Sequence, residues 1–199
     1  MLITSSTNTT KKISFTVQTK LLLEAIKYTD IALGTSAKPI PIDSFVSIND
    51  SELHEFLSGE TIAFQLAPNN DSEDLELELV ACNIHNVGQD FNNKFVTVPH
   101  PWKNILDVDK ESILELPDGS LSIKPENGIC SIEVSKGLDD KKLEAYLSYK
   151  VIFKTTISIK NRSGKEMLRT FYFVIDPLIK VTSGGKRGGF GIPPVTKYK

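Results

Sequence analysis

The chain has 199 residues and a mass of 22.1 kDa, the size of one ordinary domain. Apolar residues make up 40% and charged residues 24%, which excludes a disordered chain, and a net charge of −2 with pI about 6.0 excludes a whole-molecule basic field for nucleic acid or acidic membrane. No run of 18 apolar residues exists to cross a membrane as a helix, and two cysteines, Cys82 and Cys130, are too few for a disulfide scaffold.

Residues 1–10 read as a polar arm rich in Ser, Thr and Asn, without the apolar segment of a secretory signal, so a cytoplasmic protein is expected. From Lys11 to Gln18, Ile13, Phe15 and Val17 alternate with Lys12, Ser14 and Thr16, the period of a half-buried strand. Thr19 is placed to cap a short helix over Lys20–Tyr28, where Leu22, Leu23 and Ile26 recur at helical spacing. A helix of that length is marginal alone and must dock on something. Gly34, Pro39 and Pro41 make the next ten residues a loop or an irregular sheet edge.

Strand signals then dominate. Phe45 and Val46 mark one; Ile62, Phe64 and Leu66 alternate in a second. In Asp74–Asn83, Leu75, Leu77, Leu79 and Ala81 share one face, while Asp74, Glu76 and Glu78 make the opposite face acidic. Lys94–Val98 is a short strand, and Trp102–Leu106 has the length of a single helical turn. Pro117-Asp118-Gly119-Ser120 joins two strands as a hairpin, and Asn127-Gly128 marks another turn before Cys130, Ile132 and Val134. The longest alternation closes the chain. Tyr149, Val151, Phe153, Thr155, Ile157 and Ile159 share a face, Asn161–Lys165 turns, and Phe171, Phe173 and Ile175 return. About ten short strands with turns every eight to twelve residues predict a β-sandwich or partly open barrel. The core is expected to contain Phe64, Leu66, Leu77, Leu79, Val151, Phe153, Ile157, Phe171 and Phe173.

Residues 183–199 are a different material. They hold five glycines, the pair Pro193-Pro194, four cations and no acid. Such a segment cannot build a core, yet Phe190, Ile192, Val195 and Tyr198 are spaced like anchors. The expected reading is an assembly arm, with Lys186 and Arg187 meeting the acidic face of Asp74, Glu76 and Glu78 on a neighbouring copy.

Chemistry is sparse. Among His54, His85 and His100 there is no H-x-x-x-H pair, and Cys82 with His85 offers at most half a zinc site against a buried thiol and a surface imidazole. No G-x-S-x-G elbow is present, and Cys130 lies in phase with Ile132 and Val134, the pattern of core packing. The carboxylates of Asp74, Glu76 and Glu78, or of Asp139-Asp140, read as solvated rather than catalytic. Gly184–Gly189 lacks the phosphate-loop arrangement. No catalytic residue, cofactor or metal is therefore expected.

Two resemblances add to this reading. Tyr149-Lys150-Val151-Ile152-Phe153, the turn Ile159-Lys160-Asn161-Arg162-Ser163-Gly164 and Tyr172-Phe173-Val174-Ile175-Asp176-Pro177-Leu178-Ile179-Lys180-Val181 resemble the end of the bacterial inclusion-body protein family of AidA/PixA type, with Ile175 where that family has tryptophan. Leu57-Ser58-Gly59-Glu60-Thr61-Ile62-Ala63-Phe64 resembles the family's Gly-Asp strand start, with Glu60 for the aspartate. The resemblance implies a small, all-β, non-enzymatic protein that accumulates as an intracellular inclusion. A second resemblance, to one domain of the bacterial sliding clamp, rests on Phe15–Val17, Leu21–Ile26, Lys38–Ile42 and Phe95–Leu106. It implies a DNA-processing accessory module.

The sequence thus predicts an all-β, antiparallel sandwich over residues 11–182 with one short helix, a polar N-terminal arm over 1–10 and a Gly/Pro-rich basic arm over 183–199. Its expected function is that of a cytoplasmic, self-associating structural protein whose partner is another copy of itself, with no specific nucleic acid and no membrane. A clamp-like module and a small-ligand-binding sandwich are the alternatives.

Overall fold

A computed structural model describes residues 9–28, 34–42, 46–48, 54–68, 75–89, 95–97, 102–136, 144–160, 163–176 and 178–182. The expectations placed on residues 1–8, Phe45, Asp74, His100, Asp139, Asp140, Asn161, Arg162, Pro177 and the whole of 183–199 lie outside the described residues.

Two sheets face each other. The first has the order β3-β1-β5-β11-β8, built from Val46–Ile48, Thr10–Val17, Thr61–Pro68, Ile129–Val134 and Leu106–Asp107. The second has the order β2-β13-β12-β6-β10-β9, built from Ile40–Pro41, Glu166–Ile175, Glu144–Lys160, Glu78–Gln89, Leu121–Ile123 and Ile113–Glu115. On its path β14 (Leu178–Thr182) also pairs β12, with β4 (His54–Leu57) outside it, and β7 (Phe95–Thr97) pairs β6. Apolar side chains of both inner faces make one core, with Phe15, Phe64, Tyr149, Phe153 and Phe173 fully buried. Of the expected core, Leu66, Leu77 and Ile157 are only partly buried, at its rim.

The sandwich and its one short helix are as the alternation predicts, but the sheets are mixed rather than wholly antiparallel. β1 runs parallel to β5, β2 to β13 and β4 to β14. Period two specifies which face of a strand is buried and carries no information on the direction of its partner. The helix α1 spans Thr19–Tyr28 and buries Leu22 and Ile26. Its first i→i−4 bond is accepted by the Gln18 carbonyl, at 3.0 Å, so Gln18 stands at the cap position and Thr19, fully buried, is already helical.

One departure has a local cause. Ala81 was expected beside Leu79 on the apolar face, but Ile152 pairs Ala81 while Phe153 pairs Leu79, so Val80 is an extra residue on β6. This bulge flips the phase: Leu79 is buried before it, Cys82 and Ile84 after it, and Ala81 turns to the outer face. Asn127-Gly128 also differs from a simple hairpin. Both residues have positive φ (51° and 76°), and Glu126 and Ile129 bond reciprocally, the mark of a type I′ turn. Here the turn carries the chain from β10 in one sheet to β11 in the other.

Gly34 is required where it stands. Its φ is +75°, its N–H donates to the Lys38 carbonyl at 2.9 Å, and its own carbonyl accepts from Tyr172 N–H at 3.0 Å. A Cβ there would lie 2.9 Å from Phe171 Cδ1 and 3.2 Å from Ile40 Cδ1, both held in the core. Gly34→Ala is expected to lower the unfolding free energy by about 1–3 kcal/mol, read by chemical denaturation. An unchanged midpoint would contradict this docking of the β2 loop on β13.

Candidate functional site

The outer face of the second sheet carries a polar strip. His85 and Ser148 are direct cross-strand partners, as are Asn83 and Lys150. A serine opposite a histidine invites a nucleophile reading, with Asp118 near enough for His85 to lower its pKa. The hydrogen bonds go elsewhere. Ser148 Oγ donates to Asp176 Oδ1 at 3.0 Å, and Lys150 Nζ lies 3.7 Å from Asp176 Oδ2. Asp118 is held below its ordinary carboxylate value first by the Ser120 hydroxyl, which donates at 2.6 Å, and then by the Ser120 N–H at 3.0 Å. Each carboxylate is committed to closing a turn. Asp176 ties the corner after β13 to β12, and Asp118 closes the tip of the β9–β10 hairpin.

Glu60, the acid of the Leu57–Phe64 motif, acts similarly. Its Oε2 accepts from Leu57 N–H at 2.8 Å and from Lys11 Nζ at 2.7 Å, closing the turn in which Gly59 takes a φ of +77°. Both acidic residues that carry the family resemblance are therefore corner residues of the sandwich.

The thiols are core groups. Cys82 and Cys130 come from opposite sheets and are both buried and unpaired with any disulfide partner. Cys130 Sγ donates to the Ile123 carbonyl at 3.3 Å, and Ile123 is the register partner of Cys82. Burial raises the Cys82 thiol well above its ordinary value, with the neighbouring Cys130 adding to the effect. Burial pushes Cys130 up to about 12, opposed by a hydrogen bond from the Cys82 backbone. Cys82 and His85 do not converge: they stand three residues apart on a strand, on opposite faces. Among the described residues no group of three or more His, Cys, Asp or Glu is placed to hold a metal.

These values set a pH dependence. Both folded-state values exceed the unfolded one, so unfolding releases protons in alkaline solution. The Cys130 contribution to stability is complete below 9.0, the ordinary thiol value, and is lost as pH rises towards 12, and the raised Cys82 thiol acts in the same direction. Denaturation curves across that window should show stability falling, and Cys130→Ala should flatten the fall. An equally steep decline in the variant would refute the assignment.

A recess lies where the end of β5 meets the start of β6. A groove of about 590 Å³ opens between β5, the start of β6 and the Asn127-Gly128 turn. Leu66, Leu77, Leu79 and Ile129 line it with apolar surface; Glu76 and Glu78 stand on its rim, exposed. Two contacts shape that rim. Glu78 Oε1 pairs with Lys154 Nζ at 2.9 Å, which raises the lysine's pKa, and the Glu76 carbonyl accepts from Thr155 Oγ1 at 2.7 Å. The structure thus places two of the three expected acidic residues together, and shows one of them already paired. The Glu78–Lys154 pair across β6 and β12 is a feature that single-strand alternation cannot reveal. Beyond it the β12–β13 ribbon runs on alone, with Ile157 and Ile159 half-buried and Met167 exposed on its inner face. A second recess of about 380 Å³ is lined by Lys103, Leu106, Asp107, Val108, Asp109, Glu133, Ser135 and Lys136, with Lys103 Nζ 3.3 Å from Asp109 Oδ1.

No family model matches the sequence, and no curated protein matches it either. Among solved structures the fold is similar to the crystal structure of an inclusion body protein, PixA, from Burkholderia cenocepacia J2315. That likeness has a TM-score of 0.50 and 6% sequence identity, and covers 92% of this chain and 100% of that one. It is a likeness of fold. It agrees with the two-sheet architecture and with the family resemblance carried by the closing hairpin.

Proposed function

We propose that this chain is a non-catalytic structural protein that associates with copies of itself and accumulates as an inclusion in the cytoplasm. The observation that carries this is the extent of the fold likeness: all of a chain described as an inclusion body protein is matched by 92% of this one. The chemistry of the described residues supports it, since the polar side chains of the outer strip close turns and the thiols are buried and held protonated.

The test is the mass of the full chain in solution by light scattering, with electron microscopy of cells that express it. Concentration-dependent species well above 22.1 kDa and dense intracellular bodies are expected. A 22.1 kDa monomer at every concentration, evenly distributed in cells, would overturn the reading. Nucleic acid has no part in it: with a net charge of −2, duplex DNA is expected not to bind below about micromolar at physiological salt. Tight, salt-sensitive binding would favour the clamp-like alternative instead.

A further inference from the structure

The groove where β5 meets β6 sets Leu66, Leu77 and Ile129 beside Gln65, Asn127 and the acids Glu76 and Glu78, and the segment that follows β14 combines apolar and basic residues. Lys186 and Arg187 precede Phe190 and Ile192, and residues 183–199 contain no acid. We propose that the C-terminal segment of one chain docks through Lys186, Arg187 and Phe190 in the groove of a second chain, joining two different surfaces of the sandwich head to tail. This rests on the self-association reading above and gives it a geometry.

The restriction to a second chain follows from covalent reach. Thr182, the last residue of β14, pairs with Glu144 at the start of β12. Glu78, on the groove rim, pairs with Lys154 of the same strand. Glu144 and Lys154 are ten residues apart, about 33 Å along a strand. β14 also lies on the other side of β12 from β6, which adds about two strand spacings, ~10 Å, of width. Arg187 is five residues past Thr182 and its Cα reaches at most about 18 Å; Phe190 is eight past it and reaches about 29 Å. β14 runs from Leu178 opposite Ser148 to Thr182 opposite Glu144, away from Lys154, so the chain must first reverse, and the Cα atoms of Lys186, Arg187 and Phe190 then fall well short of Glu78, about 34 Å off. On a second molecule the same groove is open to them.

Thr182 lies beside the start of β12 and the groove beside Phe153 and Lys154, so each chain offers one arm and one groove in a fixed direction. Such a contact is heterologous and propagates unless it closes into a ring. Lys186 and Arg187 would meet Glu76 and compete with Lys154 for Glu78, giving register, while Phe190 enters among Leu66, Leu77 and Ile129.

Two full-length variants test this. One carries Lys186→Glu, Arg187→Glu and Phe190→Ser and keeps its groove; the other carries Glu76→Lys and Glu78→Lys and keeps its arm. Circular dichroism and melting confirm that both are folded, the altered groove residues being exposed. Each variant alone should be monomeric at concentrations where the unaltered chain assembles, with association at least about tenfold weaker. Mixed, they should form a 1:1 dimer of twice 22.1 kDa and nothing longer, because the pair has one working arm and one working groove. If the unaltered chain assembles and either variant assembles equally well, arm-in-groove docking is wrong and self-association stands. A mixture that stays monomeric, or that grows into long species, also overturns the docking. A monomeric unaltered chain overturns both readings.

Discussion

Replacing Phe153 with alanine should remove about 3–5 kcal/mol from the unfolding free energy, against the roughly 5–15 kcal/mol typical of a whole domain. Phe153 is fully buried near the middle of β12 and pairs in register with Phe173. Their rings stack at 5.3 Å between centroids. Its strand is bonded on one side to β6 and on the other to β13, so the neighbours cannot collapse into the space left behind. Leu168 is the control: on β13 but 75% exposed, its replacement by alanine should change stability by no more than about 0.5 kcal/mol. A loss below that at Phe153 would mean that β12 faces the other way.

Trp102→Ala should cost a similar amount, about 3–5 kcal/mol. Trp102 opens the 3₁₀ turn Trp102–Asn104 and is buried. Its indole Nε1–H donates to the Gly119 carbonyl at 2.8 Å, at the tip of the β9–β10 hairpin. One side chain thus ties the segment before β8, in the first sheet, to a hairpin in the second. Trp102→Phe separates the two contributions. It retains most of the apolar burial and loses the hydrogen bond, so its cost should be nearer about 1 kcal/mol. As this is the only tryptophan, unfolding of both variants is followed by far-ultraviolet circular dichroism. Equal losses in the two variants would show that the ring's packing contributes little.

The inner faces of the long strands were legible because their alternation is long. Tyr149 to Thr155 and Phe171 to Ile175 bury the residues that period two selects. The same alternation extends back before Tyr149, since Ala145 and Leu147 continue it and β12 begins at Glu144. Strands of two to four residues, such as β4 and β8, hold too few side chains to show any period. The Val80 bulge was hidden for a related reason: Leu79 and Ala81 are both apolar, so the sequence continues an alternation that the backbone interrupts. Parallel pairings lay beyond reach, because partner choice depends on the whole core. Of the candidate site, Glu76 and Glu78 and the leucines beneath them were visible as one strand. The groove itself was not, since β5 and the Asn127-Gly128 turn complete it from distant parts of the chain.

The parallel pairing of β1 with β5 also sets an order in time. Thr10 meets Thr61 and Val17 meets Pro68, every contact spanning 51 residues, whereas Lys160 meets Glu166 across only five intervening residues. The β12–β13 hairpin can zip in about 1–10 μs, while a sheet closed by such distant partners belongs to folds that take milliseconds to seconds. During that interval Phe15, Val17, Ile62 and Phe64 lack their partners, on strands able to pair with any chain nearby. A crowded cell could therefore gather this protein in two ways, as finished sandwiches or as stalled ones. Salt tells them apart: bodies held by charged contacts between native chains release folded protein as ionic strength rises, and bodies held by mispaired strands do not.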